Sequence, residues 1–215
     1  MRSAELRTEI KTQVVFPFNP HSAFRICFGG QLAGNDYHFI THWRVRSTPE
    51  EVSKILEDAG GLARWWPSVY LDVEVLETGE EGGLGKLVRL YTKGWLPYTL
   101  RWQFRVTESR HPFGFTLQAL GDFEGQGVWT FEQDGEHVNI TYDWKISTRK
   151  RLLNALSFLL KPVFAANHRW AMARGLESLN LELARRHART PEEAARVPPP
   201  PRPTFPHNRR GRRSA

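Results

Sequence analysis

Two segments of strict two-residue alternation constrain the fold of this chain more than any other feature. The first is YTLRWQFRV, whose apolar side chains are Tyr98, Leu100, Trp102, Phe104 and Val106. The second is HVNITYDWKI, whose apolar side chains are Val138, Ile140, Tyr142, Trp144 and Ile146. Because successive side chains of a strand point to opposite faces, each segment predicts a strand with one apolar and one polar face. Such strands are typical of antiparallel sheets with one face in water.

Less regular segments complete a predicted set of seven strands. They are Phe39–Arg46, Val69–Glu77, Lys86–Lys93, Phe113–Leu120 and Phe123–Gln133. Glycine, proline and aspartate clusters between them are typical turn signals.

Helices are predicted after the first and the last of these strands. Thr48, Pro49 and Glu51 form a helix start, and a second short helix runs from Leu62 to Trp66. A long helix is expected from about Lys150 to His187. Because the sheet cannot bury its apolar face alone, this helix is expected to lie in its concavity.

Composition divides the chain into three parts. All eight tryptophans lie between residues 38 and 187, which predicts that 38–187 form the folded domain. Residues 1–37 are predicted to be a poorly ordered extension, with a short strand around Val14–Phe16. Residues 188–215 contain VPPPPRP and RRGRR, which predict a disordered tail rich in proline and arginine.

The positive charge belongs to the tail and not to the domain. Of the net charge of +7, residues 188–215 carry +5, from seven arginines and two glutamates. A nearly neutral domain argues against a nucleic-acid-binding fold, so contact of the tail with nucleic acid or acidic lipid is a less favoured alternative.

The sequence predicts a cytoplasmic protein. Its first residues lack the apolar core of a signal peptide, and the apolar run from Leu152 to Ala166 is too short to span a bilayer. Cys27 is the only cysteine, so no disulfide within the chain and no thiolate metal site are expected.

Six segments together resemble a known family over roughly residues 38–187. They are HWRVRSTPEEV, RWWPSV, LPYTLRWQFRV, GVWTFE, TYDWKI and NHRWAMARGLESL. They are similar to the polyketide cyclase/dehydrase-like branch of the START/Bet v 1 (SRPBCC) superfamily. The resemblance implies an α+β helix-grip fold, in which a seven-stranded curved antiparallel sheet surrounds a long C-terminal helix, with two short helices after the first strand. It also implies an apolar or amphipathic ligand between sheet and helix, although fold does not fix function.

A pocket on the concave face is the predicted site. Its predicted ligand-binding residues are Trp66, Arg89, Tyr91, Trp102, Phe104, Phe115, Leu117, Trp129, Tyr142, Trp144, His168 and Met172. Arg89 and Tyr91 share a strand face and are expected to form a polar end. The aromatic side chains could instead fill a dry core, but tyrosine and tryptophan bring polar tips that favour a pocket.

His168 is the one candidate for acid–base chemistry. The apolar stripe of the long helix consists of Phe158, Ala165, His168, Met172, Leu176, Leu179 and Leu183. Burial on this stripe is expected to lower the pKa of His168. The residue could be a hydrogen-bonded core histidine, a ligand contact or a proton carrier. Asp122 and Glu124 could pair with an arginine or bind polar groups of a substrate, but they are expected to cap a turn. Asp143 is expected to be solvated.

The leading hypothesis is binding, with possible transport, of a hydrophobic small molecule such as a lipid, a polyketide or an aromatic metabolite. The alternative is an enzyme of the cyclase/aromatase or dehydratase type that uses the same pocket, with His168 or a tyrosine handling protons. It is less favoured because no group of titratable residues converges on one face. No cofactor is predicted, since the glycines of GEEGGLGK fit neither nucleotide-binding pattern. No metal is predicted, since no pair of His, Asp or Glu residues in a predicted helix has the i, i+4 spacing of metal ligands. The sequence predicts no oligomeric state.

Overall fold

An antiparallel sheet forms the larger part of the fold. The computed structural model describes residues 11–14, 35–148 and 157–205. Its strands are β1 Lys11–Val14, β2 Asn35–Arg46, β3 Tyr70–Glu77, β4 Leu87–Lys93, β5 Thr99–Ser109, β6 Gly114–Gly121, β7 Glu124–Asp134 and β8 His137–Thr148. Their order across the sheet is β1-β2-β8-β7-β6-β5-β4-β3. All seven predicted strands are confirmed.

The first strand corrects the prediction for the N-terminal extension. Lys11–Val14 pairs antiparallel with the part of β2 from Phe39 to His42, so the sheet has eight strands and not seven. Without this strand, β2 would expose unpaired backbone groups along its edge. The strand predicted around Val14–Phe16 lies a few residues earlier, and β2 begins at Asn35, inside the predicted extension. The predictions for residues 1–10 and 15–34 lie outside the described residues.

The predicted helices are present. They are α1 Pro49–Leu56, α2 Leu62–Trp65 and α3 Ser157–His187, and the part of the long helix predicted from Lys150 to residue 156 lies outside the described residues. A 3₁₀ turn, Ala59–Gly61, and a further helix, α4 Pro191–Arg196, were not predicted. At the start of α1 the Thr48 hydroxyl accepts the Glu51 N–H (3.4 Å), and the Glu51 carboxylate accepts the Thr48 N–H (3.3 Å). This reciprocal cap fixes where the helix begins. Within the described residues, none of the helices has the length and apolarity that a membrane span requires.

Helix α3 buries its apolar stripe against the sheet, as the helix-grip fold requires. Its buried apolar side chains are Ala165, Met172, Leu176, Leu179 and Leu183. Near its C-terminal end, Glu182 is 3% exposed and accepts two hydrogen bonds from Arg64, of 2.8 and 2.9 Å. This pair ties the short helix α2 to α3. The Phe158 side chain, predicted on the same stripe, lies outside the described residues.

The C-terminal tail is not disordered over its first part, which corrects the prediction for residues 188–205. Helix α4 is capped by Thr190, and residues 197–205, here called the C-terminal strap, return toward the β4–β5 loop. The Thr204 hydroxyl donates to the carbonyls of Gly94 (3.4 Å) and Trp95 (3.2 Å). A proline-rich segment is stiff and keeps its carbonyls free, so it loses little entropy when those carbonyls accept hydrogen bonds. Residues 206–215 of the predicted tail lie outside the described residues.

Candidate functional site

A continuous series of aromatic rings, here called the aromatic ladder, lies on the inner face of the sheet. Its members, in spatial order, are Phe123, Trp102, Trp144, Tyr142 and Trp129. Successive ring centroids lie 5.1, 6.1, 5.6 and 4.0 Å apart. The planes of the last three rings are nearly parallel, with angles of 20° and 15°. Strand alternation points the four strand residues inward, whereas Phe123 lies in the turn between β6 and β7. The pairing of β7 with β8 places Trp129 opposite Tyr142.

A glycine allows the ladder to lie flat on the sheet. A Cβ atom at Gly127 would lie 2.9 Å from the rings of both Trp144 and Tyr142 and 2.9 Å from the Tyr142 hydroxyl. Any larger residue would push these rings away from the strand, so Gly127 is a requirement of the arrangement. The result is a flat apolar surface on the concave side of the sheet.

Helix α3 places His168 beside strand β2. The imidazole stacks on Phe39, with centroids 4.4 Å apart and planes 15° from parallel, and its Nε2 lies 3.3 Å from the Thr41 hydroxyl. Burial, together with the nearby positive charge of Arg169, lowers the pKa of His168 to about 3. The predicted direction of the shift is confirmed, and the ring is neutral at neutral pH.

The β4–β5 loop, residues 94–98, forms the opposite wall. Gly94 lies so close to α3 that a Cβ atom there would be 2.0 Å from Asn167 Oδ1. The same oxygen accepts the Leu96 N–H at 3.4 Å. At the end of the loop, burial and the neighbouring Tyr37 raise the pKa of Tyr98. Sheet, loop and helix therefore enclose the region next to His168.

Three side chains in this region are partly exposed but lie where burial disfavours charge. They are Tyr70, Tyr98 and His168. Burial raises the pKa of Tyr70 far above its usual range, raises that of Tyr98 and lowers that of His168 to about 3. A charged group is therefore disfavoured next to these side chains.

Polar tips in this interior are only partly satisfied. Trp102 Nε1 donates to the Thr92 hydroxyl at 2.9 Å. In the described part of the chain, the indole N–H groups of Trp43, Trp65 and Trp66 and the Ser178 hydroxyl are buried without a hydrogen-bond partner. A buried donor left without a partner costs about 1–3 kcal/mol.

The structure divides the predicted ligand-binding residues into three groups. Trp102, Trp129, Tyr142 and Trp144 belong to the aromatic ladder, whereas Leu117 and Met172 are buried in the core around it. His168 lies in the enclosed region.

The second group lies where the core is densely packed. Trp66 presses against α3, because a Cβ atom at Gly175 would lie 2.2 Å from its Cζ2. Phe104 and Phe115 line a void of about 20 Å³ beside Leu56. Such a void has room for about one water molecule, so Phe104 and Phe115 do not border a large space at this point.

The third group, Arg89 and Tyr91 of β4, lies on the outer face of the sheet. Arg89 pairs with Glu74 at 2.6 Å on the outer surface, and the Arg101 guanidinium lies 4.4 Å from the centre of the Tyr91 ring. Strand alternation turns the intervening residues Val88, Leu90 and Thr92 inward, where all three are buried. The predicted polar end of the pocket is therefore incorrect for Arg89 and Tyr91.

The acidic candidates have structural roles. Asp122 accepts the backbone N–H of Arg101 at 2.8 Å and so joins the turn between β6 and β7 to strand β5. Glu124 is the first residue of β7. Asp143 was predicted to be solvated, but its half-buried carboxylate bonds His38 Nε2 at 2.8 Å.

Sequence reasoning missed four contributors: Phe39, Thr41, Gly127 and Asn167. The alternation of Phe39, Thr41, Trp43 and Val45 in FITHWRVR was a usable signal for the first two. The glycine inside a strand was a second signal, because it marks close approach of another group. No local pattern points to Asn167.

Other candidate sites do not match this one. Among the described residues, no group of three or more His, Cys, Asp or Glu could hold a metal ion. A cleft of about 400 Å³ near Ser47, Gln133 and His187 is open to solvent. Of its two carboxylates, Glu51 is already bonded to His187 at 3.0 Å and to Ser47 at 2.7 Å, and Glu136 pairs with Arg46 at 3.0 Å.

Comparisons with known proteins agree with this geometry. The model of the family described as polyketide cyclase / dehydrase and lipid transport matches residues 40–184. An aromatase/cyclase from Streptomyces is 20% identical with a TM-score of 0.60, and the match covers 72% of this chain and 98% of that protein. The Thermus thermophilus protein TTHA0849 is 18% identical with a TM-score of 0.57, over 68% of this chain and 99% of that one. No curated protein matches the sequence significantly.

Proposed function

Because this chain belongs to the polyketide cyclase / dehydrase and lipid transport family, we propose that it binds a flat, uncharged, apolar small molecule between the aromatic ladder and α3. The observation that carries the proposal is the aromatic ladder together with His168, which stacks on Phe39, the cross-strand partner of Trp144. A space lined by aromatic rings favours an apolar ligand.

The ligand chemistry follows from the lining. The nearly parallel rings of Trp144, Tyr142 and Trp129 offer faces for offset stacking, which favours a ligand with its own ring system. The inward positions of β2 from Tyr37 to Val45 and of β8 from Val138 to Ile146 carry no charged side chain. A ligand carboxylate would lie there without a cation, so a neutral aromatic or polyketide-like molecule fits better than a fatty acid.

The neutral imidazole of His168 supplies a polar contact. Its Nε2 already lies near the Thr41 hydroxyl, and together they can hold one carbonyl or hydroxyl of the ligand. A general acid or base works best when its pKa is near the working pH. A pKa of about 3 suits His168 to hydrogen bonding and not to proton transfer at neutral pH. This favours binding over the cyclase or dehydratase alternative.

The test is titration of the protein with a neutral flat fluorophore, N-phenyl-1-naphthylamine. Saturable binding at one molecule per chain, with quenching of tryptophan fluorescence, is expected. Trp102→Leu removes one ring contact and should weaken binding by up to about tenfold at unchanged stoichiometry. The control, Phe113→Leu, changes a ring that is 57% exposed and should have no effect. Binding that does not saturate, or that is equal in Trp102→Leu, would contradict the proposal.

A matched ligand pair tests the polar contact. 2-Acetylnaphthalene carries a carbonyl where 2-ethylnaphthalene carries a methylene. His168→Leu should weaken binding of the acetyl compound about tenfold and leave the ethyl compound unchanged. His168→Gln, which can still donate a hydrogen bond, should bind both nearly as the parent protein does. Equal losses for both compounds would show that His168 only packs the core.

A further inference from the structure

The β4–β5 loop is held by two other segments of the chain. From α3, the Asn167 Oδ1 atom accepts the Leu96 N–H at 3.4 Å. From the C-terminal strap, the Thr204 hydroxyl donates to the carbonyls of Gly94 and Trp95 at 3.4 and 3.2 Å. The strap therefore fixes the first residues of the loop, and α3 fixes its centre.

The loop also reaches the candidate site. Asn167, which holds its centre, directly precedes His168 on α3. Tyr98, which ends the loop, is a neighbour of Tyr37. The Tyr37 ring lies 6.0 Å from the ring of Phe39, and Phe39 stacks on His168 at 4.4 Å. The loop therefore covers the His168 end of the enclosed region, and moving the loop would open that end.

The strap is held less firmly than the elements that it touches. Of residues 197–205, only Pro203 is buried. The start of the strap is tied to α3 by the hydrogen bond from Arg185 to the Pro198 carbonyl, so the Thr204 end can leave while the strap stays attached. Segments with few buried apolar contacts open at a lower free energy than the core does. Undocking of the Thr204 end is therefore a local event that leaves the sheet and α3 intact.

Lys93, the last residue of β4, is covered by the same end of the strap. Its side chain belongs to a residue that is only 4% exposed, its ammonium donates to the Thr204 carbonyl, and it lies 5.1 Å from the centre of the Phe205 ring. A buried ammonium requires such partners. Both of these partners belong to the strap, so undocking uncovers the ammonium to water and leaves no charge buried alone.

We propose that the strap is a latch on the β4–β5 loop: while docked it closes the enclosed region beside His168, and its undocking lets a small molecule enter and leave. The nature of that molecule rests on the proposed function, whereas the movement of the loop does not. A latch that does not touch the ligand changes the association and dissociation rates by the same factor, because both require the open state. A residue that touches the ligand changes mainly the dissociation rate and with it Kd.

The first test needs no bound ligand. Diethyl pyrocarbonate is a small neutral reagent that modifies neutral imidazole, and peptide mass spectrometry follows each histidine separately. Thr204→Val removes both hydroxyl bonds to the loop and should raise the modification rate of His168 about fivefold. His111, whose side chain is 42% exposed, is the internal reference and should react at the parent rate. Thr107→Val, which also removes a bond from a threonine hydroxyl to a carbonyl, is the matched control and should leave His168 unchanged. An unchanged rate at His168 in Thr204→Val would overturn the proposal.

Stopped-flow mixing with N-phenyl-1-naphthylamine tests the passage of a ligand. Thr204→Val should raise the association and dissociation rates together, about fivefold each, at unchanged Kd. Thr107→Val should alter neither rate. A change in the dissociation rate alone would show that the strap is a wall of the site, and unchanged rates would show that the ligand enters elsewhere; either result overturns the latch. If the probe does not bind the parent, the proposed function fails, whereas modification of His168 still decides whether the latch exists.

Discussion

Replacing Gly175 by alanine tests how α3 lies against the sheet. A Cβ atom at this position would lie 2.2, 2.6 and 2.7 Å from three atoms of the Trp66 ring. That ring is 3% exposed and lies between Trp43, Trp65 and Tyr70, with centroids 5.7, 5.5 and 5.2 Å away. Because these neighbours surround it, the indole cannot move aside, so the helix or the ring must be displaced.

The expected effect is the difference between two terms. Overpacking a well-filled core costs typically 1–3 kcal/mol of stability, and for contacts this short we expect a cost of about 3 kcal/mol. Alanine in place of glycine inside a helix stabilises the helix by about 1 kcal/mol, because it has the higher helix propensity. Gly175→Ala should therefore destabilise the protein by about 2 kcal/mol, which lowers Tm by about 4–8 °C for a chain of this size.

Urea unfolding of Gly175→Ala, Trp66→Phe and the double variant measures the contact directly. Phenylalanine lacks the outer indole atoms, so the alanine substitution should cost little or become favourable in the Trp66→Phe background. Gly60→Ala is the control, since a Cβ atom there makes only ordinary contacts at 3.7 and 3.9 Å. A Gly175→Ala protein as stable as the parent would refute this packing of α3 on Trp66.

Three further predictions concern the edges of the site. The pKa of His168 is about 3 in the folded state, so the unfolded chain binds a proton first as the pH falls. The free energy of unfolding therefore decreases as the pH drops from about 6.5 toward 3. Between pH 7 and pH 5 the parent should lose about 2 kcal/mol more than His168→Gln in urea unfolding. Thr204→Val removes the hydroxyl that holds the strap and should cost about 1 kcal/mol by the same assay; no change would mean that the strap is undocked. Glu182→Gln weakens the charged hydrogen bonds with Arg64 and should lower the free energy of unfolding by about 2 kcal/mol, an effect that 1 M NaCl should not abolish in so buried a carboxylate.

The sheet was predictable because alternation is a local property of the sequence. Each strand had to turn one face toward the core, so the inward direction of Trp102, Tyr142 and Trp144 followed from spacing alone. The stripe of α3 followed in the same way from its helical period. The same rule, applied to β4, would have turned Arg89 and Tyr91 outward, because Val88, Leu90 and Thr92 are the alternating inward set.

The limits of prediction lie where two distant segments meet. Nothing near Gly175 in the sequence indicates that Trp66 fills the space above it, and nothing near Asn167 indicates the loop at Gly94. The strap was predicted to be disordered because its composition cannot form a core, yet it needs only carbonyl acceptors and one buried proline to dock. The position of the short strand β1 likewise depends on a distant segment, because β1 pairs with the edge of β2.

The C-terminal strap is attached to the domain at both ends. Arg185 of α3 donates to the Pro198 carbonyl, and Thr204 donates to the carbonyl of Gly94 in the loop that contacts Asn167 of α3. Eighteen helical residues separate those points, a rise of about 27 Å. The six steps from Pro198 to Thr204 extend about 19 Å in a polyproline conformation, and the Arg185 side chain and the loop span the rest. A deletion of one residue between Pro198 and Thr204 would shorten this connection by about 3 Å in a polyproline conformation, and the two attachments would have to adjust to each other, a constraint that a free tail would not have.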